Sequence, residues 1–204
     1  MSYSVIALSR EFGSGGRIIG KELADRLGFR YYDRAIIQMA AEKSGLSPEY
    51  IERSEDDKPS FFSNLANLST SAYVNSGMNL QYSLPVNDRA YLAQSEVIRE
   101  VARFGDCVIV GRCAGYILKG DPRLLRALVY GDKEDRLSRI ISVYGYEAAK
   151  AEAELSKIDK GRSYYHKFYT GIPRFDLSQY DVCINTSATD IDGAVDVLET
   201  IIKN

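Results

Sequence analysis

The sequence predicts an α/β fold, a doubly wound sheet covered by helices on both faces. Three observations carry that expectation. Short Val- and Ile-rich runs recur with little polar alternation, as in strands buried on both faces of a parallel sheet. Segments of helical period separate these runs. The first run leads into a glycine-rich turn and then a helix, "SREFGSGGRIIGKELADRLG", Ser9 to Gly28.

The first strand is "YSVIALS" (Tyr3–Ser9). Behind it Ile19, Leu23 and Leu27 recur four apart, and Gly28 stops the helix they mark. "FRYYD" (Phe29–Asp33) is a short second strand. The connection from Asp33 to Asp106 is far longer than one crossover helix needs. Its stretches "SEDDKPSFFSN" and "NSGMNLQYSLPVND" are rich in turn formers. Residues 34–88 are therefore expected to form an inserted helical lobe with mobile joints. Leu92, Val97, Ile98, Val101 and Ala102 mark a helix that Gly105 ends. "DCVIVGR" (Asp106–Arg112) and "LLRALVYG" (Leu124–Gly131) are the third and fourth strands. "DKEDRLSRIISVYG" reads as a helix capped by Asp132 and stopped at Gly145. A long Ala-, Glu- and Lys-rich segment follows, in an excursion from Tyr144 to Tyr180 crowded with Arg, Lys and Tyr. Residues 145–175 are expected to form a helical lid. "DVCINTS" (Asp181–Ser187) is the fifth strand, and the helix "DIDGAVDVLETII" closes the chain.

A chain of 204 residues, 45% hydrophobic, makes one domain, residues 1–204, with a full core. A formal net charge of −2 argues against nucleic acid or an anionic membrane as partner. The apolar runs are too short to span a bilayer. The start, "MSYSVIALSREFG", lacks the basic segment and cleavage site of a signal peptide, so a cytoplasmic protein is expected. Cys107, Cys113 and Cys183 form no CxxC pair, and two lie in expected strands, which suits buried free thiols. The single His166 cannot build a histidine-rich metal site, and no residue is assigned as a metal ligand. Fifteen tyrosines leave two uses open, a homodimer interface or the lining of the lid.

The glycine-rich turn is the first candidate site. A literal scan for GxxxxGK[ST] finds "GGRIIGK", with Glu22 where a hydroxyl residue belongs. Lys21 in that register lies past the helix's first turn and reads as an exposed helix lysine. The better register places the loop directly after the strand that ends near Ser9. Gly13 and Gly15 then fit the internal glycines, Gly16 falls at the lysine position and Arg17 at the Ser/Thr position. Gly13, Gly15 and Gly16 can adopt positive φ and turn N–H groups toward an anion, helped by the helix N-terminus. Arg17 or Arg10 would supply the missing cation, and Ser14 is the nearest hydroxyl. Arg112 and Asp33 each follow a strand, where open α/β sheets bind ligands. Asp33 would hold metal or a substrate hydroxyl, or cap the next helix.

At these residues the chain resembles a known family. "LSREFGSGGRIIGKELADRLG" is similar to the loop of cytidylate kinase-like proteins, a divergent branch of the P-loop nucleoside monophosphate kinases. The resemblance continues through "FRYYDRAII", "VIVGRCAGYIL", "IDKGRSYYHKFYTG" and "YDVCINTS", most of the chain in the correct order. It implies a P-loop NTPase three-layer sandwich, a parallel sheet in the order 2-3-1-4-5, a substrate lobe and an arginine-bearing lid. By the same resemblance Arg112 reaches a substrate phosphate, Asp159 and Arg162 match the lid's DxxR, and Arg136 and Arg139 face a triphosphate. Three positions depart from the family pattern. Cys113 stands for the Asp of "GRD", Leu155 for a lid arginine, and Asn185 for the Asp of "DTS". The implied activity is ATP-dependent phosphoryl transfer, with Mg2+, to a nucleoside monophosphate or another small phosphorylated acceptor. A nucleotide-binding regulator without the loop lysine is the other class that fits.

Overall fold

The computed structural model describes residues 3–56 and 84–204. Five strands form one sheet: β1 (Val5–Arg10), β2 (Arg30–Tyr32), β3 (Cys107–Val110), β4 (Leu124–Tyr130) and β5 (Val182–Asn185). Their spatial order is β2-β3-β1-β4-β5, with every neighbouring pair parallel, as expected. Side chains alternate across a strand, so β1 feeds two cores. Val5 and Ala7 pack with Cys107 and Ile109 on one face, and Ile6 and Leu8 with Val108 and Val110 on the other. This double burial explains why the strands read as unbroken apolar runs.

The first core is closed by α2 (Arg34–Ser44), α3 (Pro48–Asp56), α4 (Val86–Arg103) and the short α5 (Ala114–Ile117). The second is closed by α1 (Gly16–Leu27) and α8 (Thr186–Lys203). Between β4 and β5 run α6 (Lys133–Ser142) and α7 (Ala148–Thr170), which share a smaller cluster through Ile140, Ala151 and Leu155. Of the expected lobe, α2 and α3 contribute Ile36, Ile37, Ala40, Ala41 and Ile51 to the main core. Residues 57–83, which hold most of the two turn-rich stretches, lie outside the described residues.

Several local expectations are corrected. The helix after β4 ends at Ser142 rather than Gly145, and the Asp132 side chain makes no cap; its backbone N–H instead donates to Ser187 Oγ at 2.8 Å. Leu92 is exposed, because the apolar face of α4 runs through Ala93, Val97, Ile98 and Val101. Cys183 is exposed, since β5 is an edge strand and its neighbour Ile184 takes the inward position. The last helix begins at Thr186 but breaks at Asp190 (φ 55°, ψ −169°), whose carboxylate restarts it by accepting the N–H of Gly193 at 2.8 Å.

Candidate active site

The loop between β1 and α1 sits at the C-terminal edge of the central strand, the usual ligand edge of such a sheet. Gly13 (φ 81°) and Gly15 (φ 85°) take the left-handed conformation. Gly16 does not; it opens α1, and it is small for another reason, given below. Three side chains grip the loop carbonyls. Arg136 Nη1 donates to Phe12 O at 3.1 Å, Arg139 Nη1 to Gly13 O at 2.6 Å, and Thr186 Oγ1 to Ser14 O at 3.0 Å. A trans peptide points its N–H opposite to its carbonyl. Holding Phe12 O and Ser14 O therefore turns the N–H groups of Gly13 and Gly15 the other way. Among the described residues neither N–H meets a protein acceptor. Ser14 differs from expectation: its N–H and its hydroxyl both turn inward to Glu11 O, at 3.3 Å and 2.9 Å. A serine that is fully buried and so engaged offers nothing to an anion.

Gly13, Gly15, Gly16 and Arg17 line a cavity of about 310 Å³ with Arg10, Arg34 and Arg162, walled by Phe12, Tyr144 and Tyr146. The arginines set its electrostatics. Burial pushes the Tyr144 phenol up from its ordinary pKa, while Arg139, Arg17, Arg162 and Arg10 pull it back. Arg162, from α7, lies over the Phe12 ring at 5.6 Å. Arg17 is held by Asp33, Nε to Oδ2 at 2.8 Å. Of the alternatives for Asp33, the helix cap is not formed, since its carboxylate makes no cap hydrogen bond to α2. Tyr31, beside it, is raised to about 12, mainly by burial and next by the Asp33 charge. Lys21 lies outside the cavity and pairs with Asp25 on the exposed face of α1.

A second, small cavity adjoins the first, lined by Arg10, Arg112, Arg162 and Arg174 with Ser9, Gly111, Cys113, Tyr165 and His166. All four arginines are buried. The pocket measures about 10 Å³, room for no more than a water, so the four guanidinium groups are packed together here rather than around an open site. Gly111 (φ 77°), Arg112 (φ 56°) and Cys113 (φ 56°) make a left-handed turn at the end of β3. For a non-glycine residue that conformation costs of order 1–3 kcal/mol, and it tends to persist at functional sites. It sends Arg112 toward the lobe side, where Nη1 donates to Ile51 O at 2.9 Å and Gln94 Oε1 at 3.1 Å.

The profile of the cytidylate kinase-like family matches residues 5–188. The chain belongs to that family. Cytidylate kinases are similar along almost the whole length. The protein from Methanopyrus kandleri is 23% identical over 97% of this chain and 92% of its own, and that from Methanocella arvoryzae 26% identical over 95% and 94%. Among solved structures, an uncharacterized protein from Eubacterium ventriosum superposes with a TM-score of 0.70 at 26% identity, covering 98% of each chain. Shikimate kinase from Acinetobacter baumannii shares the fold, with a TM-score of 0.53 at 16% identity over 99% of this chain and 94% of that one.

Against the family pattern, the positions transferred by resemblance divide. Arg162 and Arg112 reach the two cavities. Asp159, Arg136 and Arg139 instead build the loop's support. Asp159 Oδ1 accepts the Phe12 N–H at 2.9 Å, and its Oδ2 accepts from Arg136 Nη1 at 2.6 Å. Arg136 also stands 3.5 Å from Glu11 Oε2. Leu155, which replaces a lid arginine, is buried against Ile140, so packing has taken that position. Arg174 escaped the sequence reading. Its Nη2 donates to Arg10 O, its Nη1 lies 3.6 Å from Asp159 Oδ1, and its guanidinium covers the Phe175 ring at 5.2 Å. The only signal for it was an arginine after Pro173, just beyond the glycine that ends α7.

Glu11, Asp33 and Asp159 each face an arginine, the hydroxyl position of the loop is Arg17, and among the described residues no three His, Cys, Asp or Glu side chains group to hold a metal. Among those residues, too, no helix is long and apolar enough to cross a membrane. Several tyrosines serve the fold: Tyr91 stacks on Tyr169 at 4.0 Å, and Tyr146 meets Phe12 edge-on at 5.6 Å.

Proposed function

We propose that the protein is an ATP-dependent phosphotransferase of the cytoplasm acting on a nucleoside monophosphate, cytidylate-like, or a related small phosphorylated acceptor. One observation carries this reading: Phe12 O and Ser14 O are tied back, which turns the Gly13 and Gly15 N–H groups the other way, and both glycines line a cavity that also bears arginines. A polyphosphate there receives N–H groups, the N-terminal end of α1 and guanidinium charge together. Phosphoryl transfer asks mainly for positioning and charge neutralisation, which such a site supplies without a covalent nucleophile. The donor's phosphates would lie on Gly13–Arg17, and the acceptor's phosphate would enter beside Arg112 and Arg162. Magnesium, if it accompanies the nucleotide, would be held by the phosphates and water. The cytidylate kinase relatives support the acceptor class. The direct test is ADP release from ATP measured with each common nucleoside monophosphate; the expected outcome is turnover with a pyrimidine monophosphate.

A nucleotide-binding regulator is the second reading, favoured by the loss of the loop lysine to Gly16 and by the capture of Arg17 by Asp33. Tight ATP binding with no ADP release on any acceptor would establish it.

A further inference from the structure

We propose that Arg10 is the catalytic cation that stands in for the absent loop lysine and contacts the transferred phosphoryl group itself. The inference rests on the phosphotransferase reading. Its basis is the path of one side chain. A Cβ added at Gly16, the lysine position, would lie 2.5 Å from Arg10 Cβ and 3.0 Å from its Cγ. A Cβ added at Gly111 would lie 1.8 Å from Arg10 Nη1 and 2.6 Å from Cζ. Arg10 therefore runs from the end of β1 over the start of α1 and ends against the turn after β3. Two glycines make that path possible, one beneath the aliphatic stem and one beneath the guanidinium.

The destination matters more than the path. Arg10 lines both the loop cavity and the small arginine cavity, and of the other arginines only Arg162 does the same. A donor triphosphate in the loop cavity, of about 310 Å³, would present its terminal phosphate along the wall that Arg10 forms, whereas the arginine pocket, of about 10 Å³, has room for no more than a water. Arg17, nearer the lysine position in sequence, has a side chain 41% exposed, whereas Arg10 is buried at the wall of the loop cavity. In the reaction, an acceptor phosphate oxygen forms the new bond to the γ-phosphorus as the bond to the β–γ bridging oxygen breaks. The electron pair of that bond leaves on ADP. Arg10 keeps its proton throughout and neutralises the equatorial oxygens. It sits on a strand paired to Val129, so its charge is in place before any lid movement.

The test separates this from the kinase reading. In steady-state ADP release, Arg10→Ala should lower kcat by about 10³-fold, within the range known for a transition-state arginine. Its KM for ATP should change far less, and its melting transition should remain cooperative. Arg10→Lys should recover part of the loss, since a point charge replaces some of what a planar fork provides. Gly111→Ala, which displaces the guanidinium while keeping Arg10, should lower kcat in the same sense. A folded Arg10→Ala protein retaining more than about a tenth of wild-type kcat would overturn the proposal. If the wild type releases no ADP with any acceptor, the kinase reading fails, and calorimetric titration with inorganic tripolyphosphate still judges Arg10. Binding at least tenfold weaker in Arg10→Ala and unchanged in Arg10→Lys keeps Arg10 as the phosphate cation. Equal binding by the wild type and Arg10→Ala overturns that as well.

Discussion

The two sides of the glycine loop are both served by arginine, and they use it in opposite ways. On the carbonyl side, Arg136 and Arg139 spend their N–H groups on Phe12 O and Gly13 O, and Asp159 neutralises Arg136 at 2.6 Å. On the amide side, Arg10 and Arg162 border open volume. The first set makes the loop rigid and the second makes its environment positive. The first pair sits behind the loop, against its carbonyls, and the second forms part of the wall of the cavity in front of it. Residue type does not distinguish the two sets; what the guanidinium touches does.

The largest effect that would sharpen this contrast lies on the carbonyl side. Asp159→Ala removes the carboxylate that Arg136 and the Phe12 N–H share, leaving a buried cation without it. A loss of about 3–5 kcal/mol is expected in urea unfolding, as for other buried pairs broken from one side. A loss below about 1 kcal/mol would mean that the clamp does not support the loop. On the amide side, Arg162→Ala should leave the protein folded and reduce turnover about 100-fold, near 2.7 kcal/mol in the barrier. ATP affinity, measured by calorimetry, should fall less than turnover. An Arg162→Ala enzyme with normal turnover would place Arg162 with the structural set.

Gly13→Ala probes the boundary between the sides. The new Cβ would stand 2.7 Å from Arg136 O at a residue with φ of 81°. Strain of about 1–3 kcal/mol is expected, together with weaker nucleotide binding. Thermal unfolding with and without ATP separates the two effects. The smallest effect is a control at the far edge of the sheet. Asp181 accepts from Arg126 N, Nε and Nη2, and these bonds, above all those from the side chain, hold its pKa below the usual carboxylate value. A depressed pKa contributes stability that is full above the unfolded carboxyl pKa and is lost as pH falls through the folded value. Asp181→Asn should therefore cost no more than about 1 kcal/mol at neutral pH and flatten the loss of stability below about pH 4, while kcat is unchanged.

The strands and the glycine loop were legible because they rest on local signals, and the strand order came with the family resemblance. Val- and Ile-rich runs mark doubly buried strands, and Gly28 and Gly105 mark chain reversals at positive φ. Gly13 and Gly15 were likewise legible, since a tight left-handed loop admits little else. Gly16 was read for the wrong cause: its small size serves a passing arginine stem rather than a positive φ. The division of labour among the arginines was not legible. Asp159 meets Phe12 across 147 residues, and Arg174 meets the carbonyl of Arg10 across 164. No local period encodes such pairings. A guanidinium on a flexible stem takes its role from whichever carbonyl, carboxylate or cavity the packed helices bring within reach, so the fold had to be in place before the roles of Arg10, Arg136, Arg139 and Arg174 could be told apart.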